Sequence, residues 1–235
     1  ETSGGNSWSA ASDGISDNLS GTAYGNDMHV ISGFSGTILT SSDNGSSWTT
    51  QTTGTSEVIW EVIYDNNIFV SVSDNGSIYT SGDGTTWTPR TSGTSNPLRG
   101  ITYGNSTFVA VGNSGTIYTS PDGTTWTSST SGTSNALQQV AYGNSTFVVI
   151  SNNGEIFTSA DGTTWTLEWT SGTTSLNGIT FIDTTAPTLS QVTNVSTNND
   201  TTPDYTFSSD EAGTITYGGS CSSSTTSATA DNNTI

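Results

Sequence analysis

Lysine is absent from this 235-residue chain, and only two arginines, Arg90 and Arg99, stand against 20 acidic residues. That balance, a formal charge of −18, excludes any function that must neutralise a phosphate backbone, so no nucleic-acid partner is expected. Direct binding to an anionic membrane surface is excluded on the same ground. Without lysine there is no Schiff-base chemistry, no phosphate-loop lysine and no lysine isopeptide bond. One His, one Cys and one Met exclude a His/Cys metal cluster and a redox dithiol. No apolar run approaches the roughly 18 residues that a spanning helix needs, and no leader sequence is recognisable at Glu1.

Charge is scarce as well, at 9% of residues against roughly 25% in an ordinary domain. The bulk of the chain is Gly, Ser, Thr and Asn. Disorder is nevertheless disfavoured, because 7 Trp, 8 Tyr and 7 Phe recur at fixed intervals, whereas disordered chains are poor in aromatics.

The intervals define the fold. Trp48, Trp87, Trp126 and Trp165 are each 39 residues apart, as are Tyr64, Tyr103, Tyr142 and Phe181. Gly36, Gly76, Gly115 and Gly154 follow at 40, 39 and 39. Within the unit Leu98–Ser134, four β-rich runs (GITY, TFVAV, TIYTS, TTWTSS) are separated by turn signals, and helical periodicity is lacking. Four strands in about 40 residues is the size of one β-propeller blade. A parallel solenoid, the rival architecture, needs less chain per strand. The sequence therefore predicts an all-β propeller of four full blades, near 18–54, 55–93, 94–132 and 133–171. A split half blade is expected from Gly5–Trp8 and Leu176–Phe181, leaving the ring to be completed by upstream repeats or closed in another way.

Ser41-Ser42-Asp43-Asn44-Gly45-Ser46-Ser47-Trp48, with the shorter copies beginning at Ser81, Ser120 and Ser159, resembles the Asp-box repeat of sialidase-type propellers. Similar repeats occur in bacterial secreted and surface proteins. The resemblance covers about residues 5–182. It implies a structural role for Asp43, Asp83, Asp122 and Asp161, whose carboxylates would accept backbone N–H bonds in a tight turn. Trp48, Trp87, Trp126 and Trp165 would cover those turns. From Asp183 the period is lost, and residues 183–235 resemble the opening of a bacterial immunoglobulin-like domain, with Cys221 lacking a partner. The domains are thus expected at 1–182 and 183–235.

Sialidase activity needs an arginine triad that two arginines cannot supply. A glycosidase needs two carboxylates across a cleft, and Glu57, Glu61, Asp65, Asp74, Glu155 and Glu168 are the acids outside the repeat. They are read first as solvated charges. His29 aligns with Phe108 and Phe147, facing between blades, and has no partners for a triad. Arg90 is placed in a Pro-containing loop. No cofactor is expected, although Asp183, Asp200, Asp204 and Asp210 are oxygen donors suited to Ca²⁺. Trp60 and Trp169 lie outside the repeated Trp positions and are expected exposed, where they could bind glycans.

The leading expectation is a non-enzymatic extracellular structural or adhesion module of a bacterial surface protein, sheath or filament. Its partners would be copies of itself or neighbouring modules, joined head to tail by strand complementation. A carbohydrate-binding propeller is the alternative, and a secreted glycosidase fragment the third.

Overall fold

The computed structural model describes residues 17–172 and 174–180, and the backbone of five short strands beyond them. The chain divides into two compact units, Glu1–Ile182 and Asp183–Ile235.

The first unit contains four antiparallel four-stranded sheets, each in simple meander order. The first blade comprises β1 (Leu19–Gly25), β2 (Met28–Gly33), β3 (Thr37–Ser41) and β4 (Thr49–Thr52). The second comprises β5 (Ile59–Asp65), β6 (Ile68–Ser73), β7 (Ile78–Ser81) and β8 (Thr88–Arg90). The third comprises β9 (Leu98–Gly104), β10 (Thr107–Gly112), β11 (Thr116–Ser120) and β12 (Thr127–Thr130). The fourth comprises β13 (Leu137–Gly143), β14 (Thr146–Ser151), β15 (Glu155–Ser159) and β16 (Thr166–Thr170). The first strands of successive blades lie beside one another, so the sheets radiate as propeller blades do.

Local chemistry explains the meander. Each β1–β2-type hairpin turns on two residues with positive φ: Asn26 and Asp27, Asn66 and Asn67, Asn105 and Ser106, Asn144 and Ser145. Two consecutive left-handed residues define the two-residue turn whose twist suits a hairpin. The left-handed residues are thus Asn and its successor, while the preceding glycine of Tyr-Gly-Asn ends the strand. Arg90 also departs from expectation: it closes β8, and Pro89 pairs with Tyr79 inside a strand. Proline fits there because β8 is an outer edge, where a missing N–H breaks no ladder.

The core lies between blades rather than within them. Each blade has a leading face turned to its predecessor and a trailing face turned to its successor. Val30 and Ile38 of the first blade meet Ile59, Val62 and Phe69 of the second, all fully buried. Val70, Val72 and Ile78 then meet Leu98, Ile101 and Phe108. Val109, Val111 and Ile117 meet Leu137, Val140 and Phe147. Alternation along β6 shows the logic: Phe69 faces back while Val70 and Val72 face forward. Burying one such Val, Ile or Phe stabilises by about 1.5–3 kcal/mol, so the stack holds through repeated faces.

The segment Leu176–Thr180, expected as the first strand of a further blade, lies in no strand. The Leu176 N–H does donate to the Ser151 carbonyl at 3.2 Å, tying it to the fourth blade. Gly5–Trp8 and Phe181 lie outside the described residues.

In the second unit, β17 (Leu189–Gln191), β18 (Thr206–Ser209) and β21 (Asp231–Thr234) form a three-stranded antiparallel sheet, and β19 (Gly213–Thr214) pairs with β20 (Ser227–Ala228). Asp183, Asp200, Asp204, Asp210 and Cys221 lie outside the described residues, so the calcium candidates and the immunoglobulin-like reading have no side-chain geometry. No helix among the described residues is long and apolar enough to cross a membrane.

Candidate functional site

The Ser-x-Asp-Gly turns join the third and fourth strands of each blade. Asp83 Oδ1 accepts the Thr85 and Thr86 N–H groups, each at 2.8 Å. Asp122 accepts those of Thr124 and Thr125 at 2.8 and 3.0 Å, and Asp161 those of Thr163 and Thr164 at 2.8 Å. In the longer first copy, Asp43 accepts the Ser47 hydroxyl at 2.6 Å and its N–H at 2.9 Å. These bonds stabilise the charged carboxylate. The Ser47 hydroxyl foremost lowers Asp43 to about 2, and the Thr86, Thr125 and Thr164 N–H groups foremost hold Asp83, Asp122 and Asp161 well below the ordinary range. Trp48, Trp87, Trp126 and Trp165 each donate the indole N–H to the turn glycine carbonyl, at 2.9–3.2 Å. The run TTWTSS is consequently shortened to β12 at Thr127–Thr130, because the turn captures Thr124 and Thr125. Gly84 sits at φ +76 with Val30 of the preceding blade 3.2 Å from where a Cβ would stand, so the turn needs glycine on two counts.

A different constellation forms at the opposite end of the strands. Every first strand is bulged at the same place: between Leu19 and Gly21, Ile59 and Glu61, Leu98 and Gly100, and Leu137 and Gln139. A bulge re-aims the extra side chain. The extra residues are Ser20, Trp60, Arg99 and Gln138. With Asn177, spaced at 40, 39, 39 and 39 residues, they line one cavity of about 280 Å³. Glu61 and Gln139, one position on, complete its wall.

Trp60 is half-buried rather than exposed, because its neighbours hold it. Its indole N–H donates to Asp74 Oδ1 at 2.7 Å, Phe34 meets it edge-on at 5.7 Å, and the Arg99 guanidinium carbon lies 4.4 Å from the ring centroid. Arg99 also donates from Nε to Asn113 Oδ1 at 3.3 Å and reaches Asp74 at 3.9 Å. Such a cation over an indole contributes about 0.5–2 kcal/mol depending on exposure. Trp169, on outermost β16, is 50% exposed and is not brought to Trp60.

Glu61 braces three blades. From β5 its Oε2 accepts the Ile101 N–H of β9 at 2.7 Å, and its Oε1 accepts Gln139 Nε2 of β13 at 2.9 Å. It reaches past β9 because residue 100 is glycine: a Cβ there would stand 2.8 Å from Gln139 Oε1. Burial outweighs these two bonds and pushes the Glu61 carboxyl up from 4.5 to about 7.

The other weighed acids are dispersed: Glu155 accepts from Thr133 and Asn135, Glu168 from Thr158, and Asp65 from the Asn66 N–H. His29 is half-buried against Tyr24, ring centroids 4.5 Å apart. Among the described residues no group of three or more His, Cys, Asp or Glu could hold a metal ion.

A second cavity of about 480 Å³ beside Arg90 is lined by Ser92, Gly93, Thr94 and Ser95, a run that recurs as Ser131–Ser134 and so lacks individuality. The mouth residues are the reverse. The repeats read Ser, Trp, Arg, Gln, Asn in this column and Gly, Glu, Gly, Gln, Gly in the next. Reading the 39-residue columns for divergence marks Glu61, Arg99, Gln138 and Gln139 together with outer-strand positions such as Gln51, Arg90 and Glu168, and only the bulges bring the former to one cavity.

No curated protein matches the chain in sequence. Among solved structures, the chain is similar to the computationally designed Ika4 protein, at 15% identity and TM-score 0.56, covering 65% of this chain and 98% of that one. It is similar to YCF48 bound to D1 peptide, at 20% identity and TM-score 0.50, covering 64% and 52%. YCF48 from Cyanidioschyzon merolae matches at 14% identity and TM-score 0.50, covering 65% and 58%. The match thus spans about half the length of the YCF48 chains, and at these identities it shows the fold alone. Residues 62–171 match the family described as DUF6242 beta propeller domain, and with the four meander sheets this identifies the first unit as a β-propeller domain.

Proposed function

We propose that the chain is a non-catalytic binding and adhesion module of an extracellular surface protein, and that its propeller mouth takes a neutral glycan. The single observation that carries this reading is the convergence of the five unlike bulge-column residues on one cavity. Their chemistry suits a polyhydroxylated ligand: an indole face preset by Asp74 and Arg99, beside amides at Gln138, Gln139 and Asn177. The Gln138 side chain, which lines the cavity, makes no hydrogen bond to the described residues and so has donors and an acceptor to offer. A charge of −18 disfavours anionic ligands by long-range repulsion. The Asp-box resemblance, the lysine-free acidic composition and the tandem of unlike modules support an extracellular setting.

Glu61 supports bracing over catalysis, since both its oxygens already accept protein donors. Its raised carboxyl is nonetheless the one feature that favours hydrolysis as a second reading. A glycan array probed with the wild type, Trp60→Ala and Trp169→Ala separates the possibilities. The expected result is binding weakened at least about tenfold in Trp60→Ala, as loss of one stacking platform implies, and unchanged in Trp169→Ala. Absence of wild-type binding to any neutral glycan, or full retention by Trp60→Ala, overturns the reading. Release of reducing ends from a bound polysaccharide, abolished by Glu61→Gln, would replace it with hydrolysis.

A further inference from the structure

Glu61 is held between a partner that cannot change and one that can. Its Oε2 accepts from the Ile101 backbone N–H at 2.7 Å, and its Oε1 from the Gln139 side-chain nitrogen at 2.9 Å. That arrangement belongs to the carboxylate, which only accepts. When Glu61 takes up a proton from solvent, Oε2 goes on accepting the Ile101 N–H, so the O–H forms on Oε1 and meets the Gln139 nitrogen, donor against donor. Turning the amide over about its last bond restores a hydrogen bond, with Gln139 Oε1 accepting from the Glu61 O–H. Gln139 lines the cavity. Its oxygen, which has no hydrogen bond among the described residues, lies 2.8 Å from where a Gly100 Cβ would stand. Glycine there leaves space for either end of the amide.

We propose that Glu61 and Gln139 form a proton-operated selector at the mouth, which shows a ligand the Gln139 oxygen when Glu61 is ionised and the Gln139 NH2 when it is protonated. The selector rests on the glycan reading of the mouth and names its preference: a neutral sugar with an acceptor group, the carbonyl of an acetamido sugar, is taken on protonation. A plain hydroxyl both donates and accepts, so it is indifferent to the turn. Burial, by pushing the Glu61 carboxyl up to about 7, brings the exchange to neutral pH. Around Glu61, β1 contributes Ser20 and Gly21, β6 contributes Val72, and β13 contributes Gln138 and Gln139. β9 contributes Arg99, whose guanidinium lies over Trp60 and reaches Asp74. The other titratable side chains of these strands and of β2 (Tyr24, His29, Tyr64, Asp65, Tyr103 and Tyr142) stand toward the hairpin ends.

Side-chain NMR of the full chain at about pH 5.5 and about pH 8.5, which bracket the exchange, reads the turn without a ligand. Nuclear Overhauser contacts from the Gln139 NH2 to the Gly100 α-protons should appear at the lower pH and vanish at the higher. Glu61→Gln, which carries a permanent donor in place of the O–H, should show them at both. Binding is then measured with two probes, chitotriose and cellotriose. Chitotriose should bind about tenfold tighter at the lower pH, the worth of about one hydrogen bond, while cellotriose changes by less than about twofold. Glu61→Gln should keep the tighter chitotriose binding at both pH values. Gln139→Met, which leaves Glu61 in place, should lose the pH dependence. An amide that does not turn, or a pH dependence that survives in Gln139→Met, overturns the selector, the latter pointing to the charge of Glu61 alone. Binding of neither trimer at either pH, in a protein whose amide turns, overturns the glycan reading and its acetamido preference and leaves the turn supported.

Discussion

Replacing Glu61 by Gln changes the charge of the brace while keeping its shape. The introduced amide retains an oxygen for the Ile101 N–H, and its nitrogen can donate to Gln139 once that side chain turns its own amide over. In the wild type, burial raises this carboxyl from 4.5 to about 7. A folded value above the unfolded one means that its stabilising contribution is full below pH 4.5 and is lost as pH rises through 7. The gap between 4.5 and about 7, at about 1.36 kcal/mol per pH unit, corresponds to about 3 kcal/mol lost between roughly pH 4 and pH 8. For a chain of this size that is roughly 6–12 °C in Tm. Denaturant unfolding of both proteins at those two pH values reads the effect directly. The stability difference, Glu61→Gln minus wild type, should rise by about 3 kcal/mol from the lower to the higher pH. A difference that is the same at both pH values refutes the claim that Glu61 is held, partly dehydrated, between three blades.

Other expectations follow from single contacts. Ser71 is wholly buried, and its hydroxyl has no hydrogen-bond partner among the described residues, in a column where Ala110 and Val149 stand elsewhere; Ser71→Ala should stabilise by about 1 kcal/mol, and a loss in urea midpoint would refute this. Gly100→Ala drives a Cβ against Gln139 Oε1 and to 3.1 Å from the Gln139 Cα, so it should destabilise by about 1–3 kcal/mol, and the same unfolding curves check it. Asp122→Asn should weaken the protein more at about pH 5 than at about pH 2: the lowered carboxyl contributes its full stability above its ordinary value of 3.8 and loses it as pH falls through its folded one. Thermal melts that fall equally at both pH values would count against that assignment.

Much of the fold was legible because a repeat cannot bury its own faces. Trp48 through Trp165 gave the period, and the β-branched runs gave four strands per unit. What stayed hidden depends on geometry that a period does not encode. The shortening of β12 follows from the Asp122 carboxylate capturing two N–H groups, and the strand placement of Pro89 follows from β8 being an edge. The mouth was half visible: Trp60 stood out as a non-repeated Trp, and Glu61 and Arg99 as non-repeated charges. Only the bulges show that these residues, with Gln138 and Asn177, share one cavity. Tryptophan alone was a poor guide, since Trp169, equally non-repeated, is carried to the outermost strand.

The seven indole N–H groups offer the most direct test of the mouth as the binding site. A neutral glycan selected on the array, titrated into isotope-labelled protein and followed by side-chain NMR, should shift the Trp60 indole, the Arg99 Nε–H and the Gln138 and Gln139 amides together. The indoles of Trp48, Trp87, Trp126 and Trp165, at the far end of the blades, should stay in place. Shifts confined to Trp169 or to the four turn tryptophans, with Trp60 and Arg99 unmoved, would contradict it.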